Sequence, residues 1–111
     1  MAAGTYNFTV EQGATFTRVL TLQENSSAMN LTGYSAASQM RLSHDTSTVA
    51  GTFSCTISNA SGGEITLTMT AATTRAIEEG IYVYDVEMTS GAGTVTRVLQ
   101  GRVTVTAEVT R

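Results

Sequence analysis

Lysine, tryptophan and proline do not occur in this chain of 111 residues, and cysteine and histidine occur once each. Cys55, alone, cannot close an internal disulfide. It falls on the apolar side of a strand pattern, with no base near it in sequence, and reads as a small core residue rather than a thiolate nucleophile. His44 stands beside Asp45 in the polar loop "SHDTST". One histidine supplies neither a catalytic triad nor a zinc set, so the pair reads as solvated. With lysine absent, all six basic residues are arginine, and the net charge is −3. No basic stripe exists to neutralise phosphates, which argues against nucleic-acid binding. No run approaches the roughly 20 apolar residues of a membrane span. The start "MAAGTYNFTV" has neither a basic nor a long apolar region, so no signal peptide is expected and the chain reads as made in a cytoplasm. Phosphate loops, metal-ligand spacings and nucleophile elbows are missing too. The expectation is therefore a non-enzymatic protein without cofactor, metal or small-molecule substrate.

What the chain does have is alternation. An apolar content of 41% with sparse charge suits one globular domain over residues 1–111. Threonine, β-branched and hydroxylated, is the polar partner in one strand pattern after another. "TYNFTV" (5–10) puts Tyr6, Phe8 and Val10 on one face, and "ATFTRVLTL" (14–22) does the same with Phe16, Leu20 and Leu22, Arg18 breaking the row. "QENSSAMNLTG" (23–33) is a polar connection with Leu31 tucked in. "YSAASQMRL" (34–42) sets Tyr34, Ala36, Met40 and Leu42 in phase, and "VAGTFSCTI" (49–57) aligns Val49, Phe53, Cys55 and Ile57. After the turn "SNASGG", "EITLTMT" (64–70) opposes Ile65, Leu67 and Met69 to threonines. "AATTRAIEE" (71–79) is the helical candidate, one or two turns long, ending at Gly80. Strands over 81–89, 94–100 and 102–110 follow, with a turn at 90–93 and a kink at Gly101. Seven to eight strands with turn punctuation predict an all-β fold, an antiparallel β-sandwich with one short helical corner.

The segment "TLTMTAATTRAIEEGIYVYDVEM" (66–88) resembles the corner between the fifth and sixth strands of an immunoglobulin-like sandwich. The resemblance implies that Tyr82 returns its hydroxyl to the backbone a few residues upstream, and that Tyr84 points inward where antibody domains carry a cysteine. Without paired cysteines and a core tryptophan, an antibody-type domain is excluded. The period of two independently places Tyr82, Tyr84, Val86 and Met88 on the core face and Ile81, Val83, Asp85 and Glu87 on the other. A hairpin pairing 89 with 93 would set Asp85 opposite Arg97 and Val83 opposite Leu99. Asp85 and Arg97 then form a structural cross-strand ion pair, worth roughly 0.2–1 kcal/mol.

A longer likeness runs through "YNFTVEQGATFTRVLTLQENSSAMNLTGYSAASQMR" (6–41), "GGEITLTM" (62–69), "EEGIYVYDVEM" (78–88) and "RVLQGRVTVTAEVTR" (97–111). This strand-and-turn pattern is similar to small virion structural proteins of tailed phages, including cyanophages, and to the N-terminal β-sandwich of baseplate receptor-binding assemblies. The resemblance implies a multi-copy module on the capsid surface, neck, tail or baseplate, localised in the virion. Its partners would be other virion proteins and copies of itself. Interface residues are expected at the N-terminal Met1, Ala2, Ala3 and Gly4, in the loop at His44 and Asp45, and at Arg111. The start on Met and the end on a strand suggest an independent product rather than a fragment of a tail fibre. An exported host- or carbohydrate-binding module is the other alternative; it would want exposed aromatics, and nearly all aromatics here are in core phase.

Overall fold

Alternation of residue type becomes alternation of burial. In β8 (Glu64–Met69), Ile65, Leu67 and Met69 are buried, and in β9 (Gly80–Thr89) so are Tyr82, Tyr84, Val86 and Met88. The computed structural model describes residues 4–24 and 27–109; Met1, Ala2, Ala3 and Arg111 lie outside them. The remaining strands are β1 (Gly4–Thr5), β2 (Phe8–Glu11), β3 (Phe16–Thr21), β4 (Gln23–Glu24), β5 (Ser27–Ala28), β6 (Ser35–Arg41), β7 (Gly51–Asn59) and β10 (Val95–Thr106), with the helix α1 at Ala71–Arg75.

Hydrogen bonding runs in one path, β1/β2–β10–β9–β6–β7–β8–β3, with β4 and β5 as a separate two-stranded ribbon. The two ends of that path, β2 and β3, are joined by only residues 12–15, so the sheet must curl until its edges approach. The corner lies in β7. Gly51–Phe53 pair with β6, and Ser54 onward pairs with β8. The result is an all-β half-barrel, which corrects the expectation of two packed sheets: β7 belongs to both halves and joins them. The sheet is also mixed rather than antiparallel, because β1 and β2 pair with β10 in parallel, Gly4 against Leu99 and Phe8 against Val103. Parallel neighbours need a long crossover, and here almost the whole chain supplies it.

Side chains fill the seam between the edges. The rings of Phe8 and Phe16 stack at 5.2 Å, and both contact Phe53. Arg18, the residue that broke the apolar row, reaches across. Its Nη1 donates to the Tyr6 hydroxyl at 2.7 Å, and its guanidinium lies 5.8–5.9 Å from the rings of Tyr6, Phe8 and Phe16. The stem covers apolar surface while the charge meets ring faces and a hydroxyl.

Several local expectations change. α1 stops at Arg75, capped by Thr70, whose hydroxyl accepts from the Thr73 N–H at 3.2 Å. Buried Ile77 then turns the chain into the core, leaving Glu78 and Glu79 outside the helix. Leu42 is 68% exposed and Val49 38%, because β6 ends at Arg41 and β7 begins at Gly51, so neither lies within the sheet. β10 is continuous through Gly101. A Cβ there would collide with the Tyr6 backbone, where β1 gives way to β2, so this glycine permits close approach rather than a kink. Leu31 is buried as expected, and Met29 with it.

The Tyr82 hydroxyl donates to the Glu78 carbonyl at 2.6 Å, four residues upstream. Tyr82→Phe removes this bond and should lower stability by about 0.5–1.5 kcal/mol. An unchanged urea midpoint would show that the bond carries no net stability.

Candidate functional site

The half-barrel turns two contrasting faces outward. Over β6, β9 and β10 the outward residues form cross-strand rows. Ala37, Glu87 and Arg97 make one row; Gln39, Asp85 and Gln100 make the next. Arg41, Val83 and Arg102 make the third. All of these residues except Arg102 line a groove of about 480 Å3, with Ser43 and His44 on one wall. His44 and Asp45 are exposed, and Gly4 pairs in β1 with its surface open.

The register here corrects the expected hairpin. Thr89 pairs with Val95, not with residue 93, because the turn is longer. It is closed by Ser90 N–H to the Thr94 carbonyl at 2.9 Å and Gly93 N–H to the Ser90 carbonyl at 2.9 Å, with Gly93 at φ 91°. A bulge between Arg97 and Leu99 then adds one residue. Arg97 therefore lies opposite Glu87, Gln100 opposite Asp85, and Arg102, not Leu99, opposite Val83. Buried Val98 takes the inward position at the bulge, so Arg97 stays outside. It meets Asp85 diagonally, Nε to Oδ2 at 3.4 Å.

The groove is braced on both sides. From the core side, the buried Ser38 hydroxyl donates to the Asp85 carbonyl at 2.6 Å. From the rim, Arg41 donates through Nη1 to the Thr46 carbonyl at 2.9 Å, tying down the His44 loop, and through Nη2 to Gln39 Oε1 at 3.1 Å. Two arginines face two carboxylates, so the formal charges of the lining cancel. The arrangement can present donors and acceptors in fixed positions. Sequence reasoning named Asp85, Arg97 and His44 but missed Gln39, Arg41, Glu87 and Gln100. Each was visible only as an outward residue of its own strand, and strand order is what unites them.

The face over β3, β8 and β7 carries hydroxyls. Its rows are Thr17–Thr68–Ser54 and Val19–Thr66–Thr56, closed at one end by Thr21, Glu64 and Asn59. Ser58 and Thr66 hydroxyls bond at 3.0 Å across it. Val19 is 53% exposed.

Tyr84 lies on the other side of the sheet from the groove, buried, with its hydroxyl donating to the Tyr6 carbonyl at 2.5 Å. Burial pushes the Cys55 thiol up to about 11, which keeps it protonated at neutral pH. Among the described residues no cluster of His, Cys, Asp and Glu could hold a metal, and no helix is long and apolar enough to cross a membrane. No protein-family model matches the chain, and no curated protein matches it.

Proposed function

We propose that this chain is a non-enzymatic structural module of a tailed-phage particle, an immunoglobulin-like relative that assembles with other virion proteins and with copies of itself. One observation carries the reading: among the described residues, β3 is a sheet edge with no strand paired on its outer side. It ends the hydrogen-bonding path, so the backbone groups along its outer side pair with no described strand. Soluble proteins usually protect such edges with lysine, proline, bulges or a covering segment. β3, "FTRVLT", has neither lysine nor proline, and its register against β8 runs without a shift. Its single charge, Arg18, is drawn inward to Tyr6. The neighbouring hydroxyl face is nearly uncharged and carries exposed Val19. A nearly uncharged surface ending in an open edge suits dense packing of like copies, where strand pairing and hydroxyl contacts incur no charge repulsion. The chain's resemblance to virion proteins points the same way.

Quantitative mass spectrometry of purified phage particles tests the reading; many copies per particle are expected, and absence from particles would refute it. Val19→Lys tests the edge. As a surface change it should alter the unfolding free energy by no more than about 0.5 kcal/mol. It should nevertheless abolish concentration-dependent association in sedimentation velocity and lower particle occupancy. Association equal to that of the unsubstituted chain would remove the edge from the interface.

A further inference from the structure

The composition gives no reason to expect a small-molecule ligand, but the register of three strands does. The middle row of the groove, Gln39–Asp85–Gln100, is held in a set orientation by its two arginines. Arg41 occupies Gln39 Oε1 at 3.1 Å, and Arg97 approaches Gln100 Oε1 at 3.4 Å. Each amide therefore keeps its Nε2 as a donor unengaged among the described residues. Arg97 Nε lies 3.4 Å from Asp85 Oδ2, which leaves Oδ1 as the open acceptor between the two amides. Across the strands the row reads donor, acceptor, donor, at a spacing of about 4.8 Å.

We propose that this groove binds a neutral saccharide through its hydroxyl groups. A hydroxyl both donates and accepts, so one that donates to Asp85 can accept from Gln39 or Gln100 in the same contact. An anion would meet Asp85 and Glu87, and a cation would meet Arg41 and Arg97; the balanced lining favours neither. Ala37 and Val83, one in each of the outer rows, place a small apolar patch on either side of the polar middle row, where the C–H groups of a sugar can rest. The volume, about 480 Å3, falls within the range of small-ligand sites, about 300–1,000 Å3. The walls need no rearrangement, since Arg41 already fixes the His44 loop to the strand. Among the described residues no aromatic ring faces the groove as a stacking platform, the Tyr84 ring lying on the core side, so single-site affinity is weak, with Kd in the millimolar range, about −4 kcal/mol. Many copies on one surface would raise it through avidity. The proposal does not rest on the assembly reading, which concerns the opposite face.

The test is a 1H–15N NMR titration of the full chain with maltose, lactose and N,N′-diacetylchitobiose, and with inorganic phosphate as the charged comparator. Saturable shifts are expected for at least one neutral sugar, centred on residues 37–44, 83–87 and 97–100. Asp85→Ala should weaken binding about tenfold or more, and Gln100→Ala measurably. Val19→Lys should leave it unchanged. Should Asp85→Ala fail to fold, Gln100→Ala decides. No saturable shift with any of the three sugars, a response to phosphate alone, or unaltered affinity in the folded variants would overturn the proposal.

Discussion

Truncating Tyr84 to alanine is expected to lower the unfolding free energy by about 3–5 kcal/mol, a large fraction of what a domain of this size holds. Tyr84 stands where the two halves of the curl meet. Its ring lies 4.7 Å from that of Phe8 and 6.3 Å from that of Phe53, so its removal opens a void among the rings that close the seam. Its hydroxyl also satisfies the Tyr6 carbonyl, at the bend between β1 and β2. Tyr84→Phe separates the two contributions. It keeps the ring and loses the bond, for about 0.5–1.5 kcal/mol. Urea unfolding of the three chains measures both steps. A loss below about 1 kcal/mol for the alanine variant would mean that the site collapses around the void and that Tyr84 does not hold the seam.

The same hydroxyl has a pH signature. Burial, with Tyr6 adding and Arg18 opposing, raises the Tyr84 pKa above its ordinary value of 10.0. A group whose folded pKa is raised stabilises the fold fully below its unfolded pKa. That contribution is lost as pH climbs through the unfolded value toward the folded one. Stability should therefore be insensitive to Tyr84 up to about pH 10 and decline above it, and Tyr84→Phe should reduce that alkaline decline. Part of the decline will remain, because burial and Glu78 raise the Tyr82 hydroxyl as well.

How much of this was legible in the sequence depends on the range of the interaction. Strand β9 was readable residue by residue, since a period of two fixes which side of a sheet each side chain takes, and Tyr82, Tyr84, Val86 and Met88 fall inside as that period requires. The turn at Asn59 was legible from its residue types. Its side-chain oxygen accepts the backbone N–H of Gly62, three residues on. Register between β9 and β10 was not legible, because a serine closing a longer turn and one extra residue at the bulge displace every later pair, and the bulge moves the inward phase from Val98 to Val103 and Val105 partway along the strand. The parallel docking of β2 on β10 depends on a contact between residues about a hundred positions apart, which no local pattern encodes. Arg18 looked like an interruption of a core face; only the curl reveals the edge opposite it. The groove was hidden likewise, because Gln39, Asp85 and Gln100 belong to three strands whose adjacency is a tertiary fact.

The second large effect is expected at Gly63, where alanine should destabilise the fold by about 2–5 kcal/mol. Gly63 ends the turn after β7 with φ 70°, in the left-handed region. A Cβ at this position would approach the Leu22 oxygen to 2.5 Å, the Met29 oxygen to 2.9 Å and the Met29 nitrogen to 3.0 Å. All three are backbone atoms, which cannot swing aside as a side chain can. They belong to the segment carrying β4 and β5, which lies over the turn through two bonds, Leu22 N–H to the Gly63 carbonyl at 2.7 Å and Leu31 N–H to the Ala60 carbonyl at 2.8 Å. That segment brings Leu22, Met29 and Leu31 into the core, so lifting it exposes apolar surface as well as breaking bonds. Gly33→Ala provides the internal control. Gly33 has φ 82°, but nothing lies within 4 Å of its Cβ position, so alanine there incurs only the conformational cost, roughly 1–2 kcal/mol. Urea unfolding of both variants gives the steric part by difference, and hydrogen exchange at Leu22 and Leu31 should accelerate in Gly63→Ala alone. Equal losses for the two glycines would show that the β4–β5 segment gives way without resistance and does not clamp the turn.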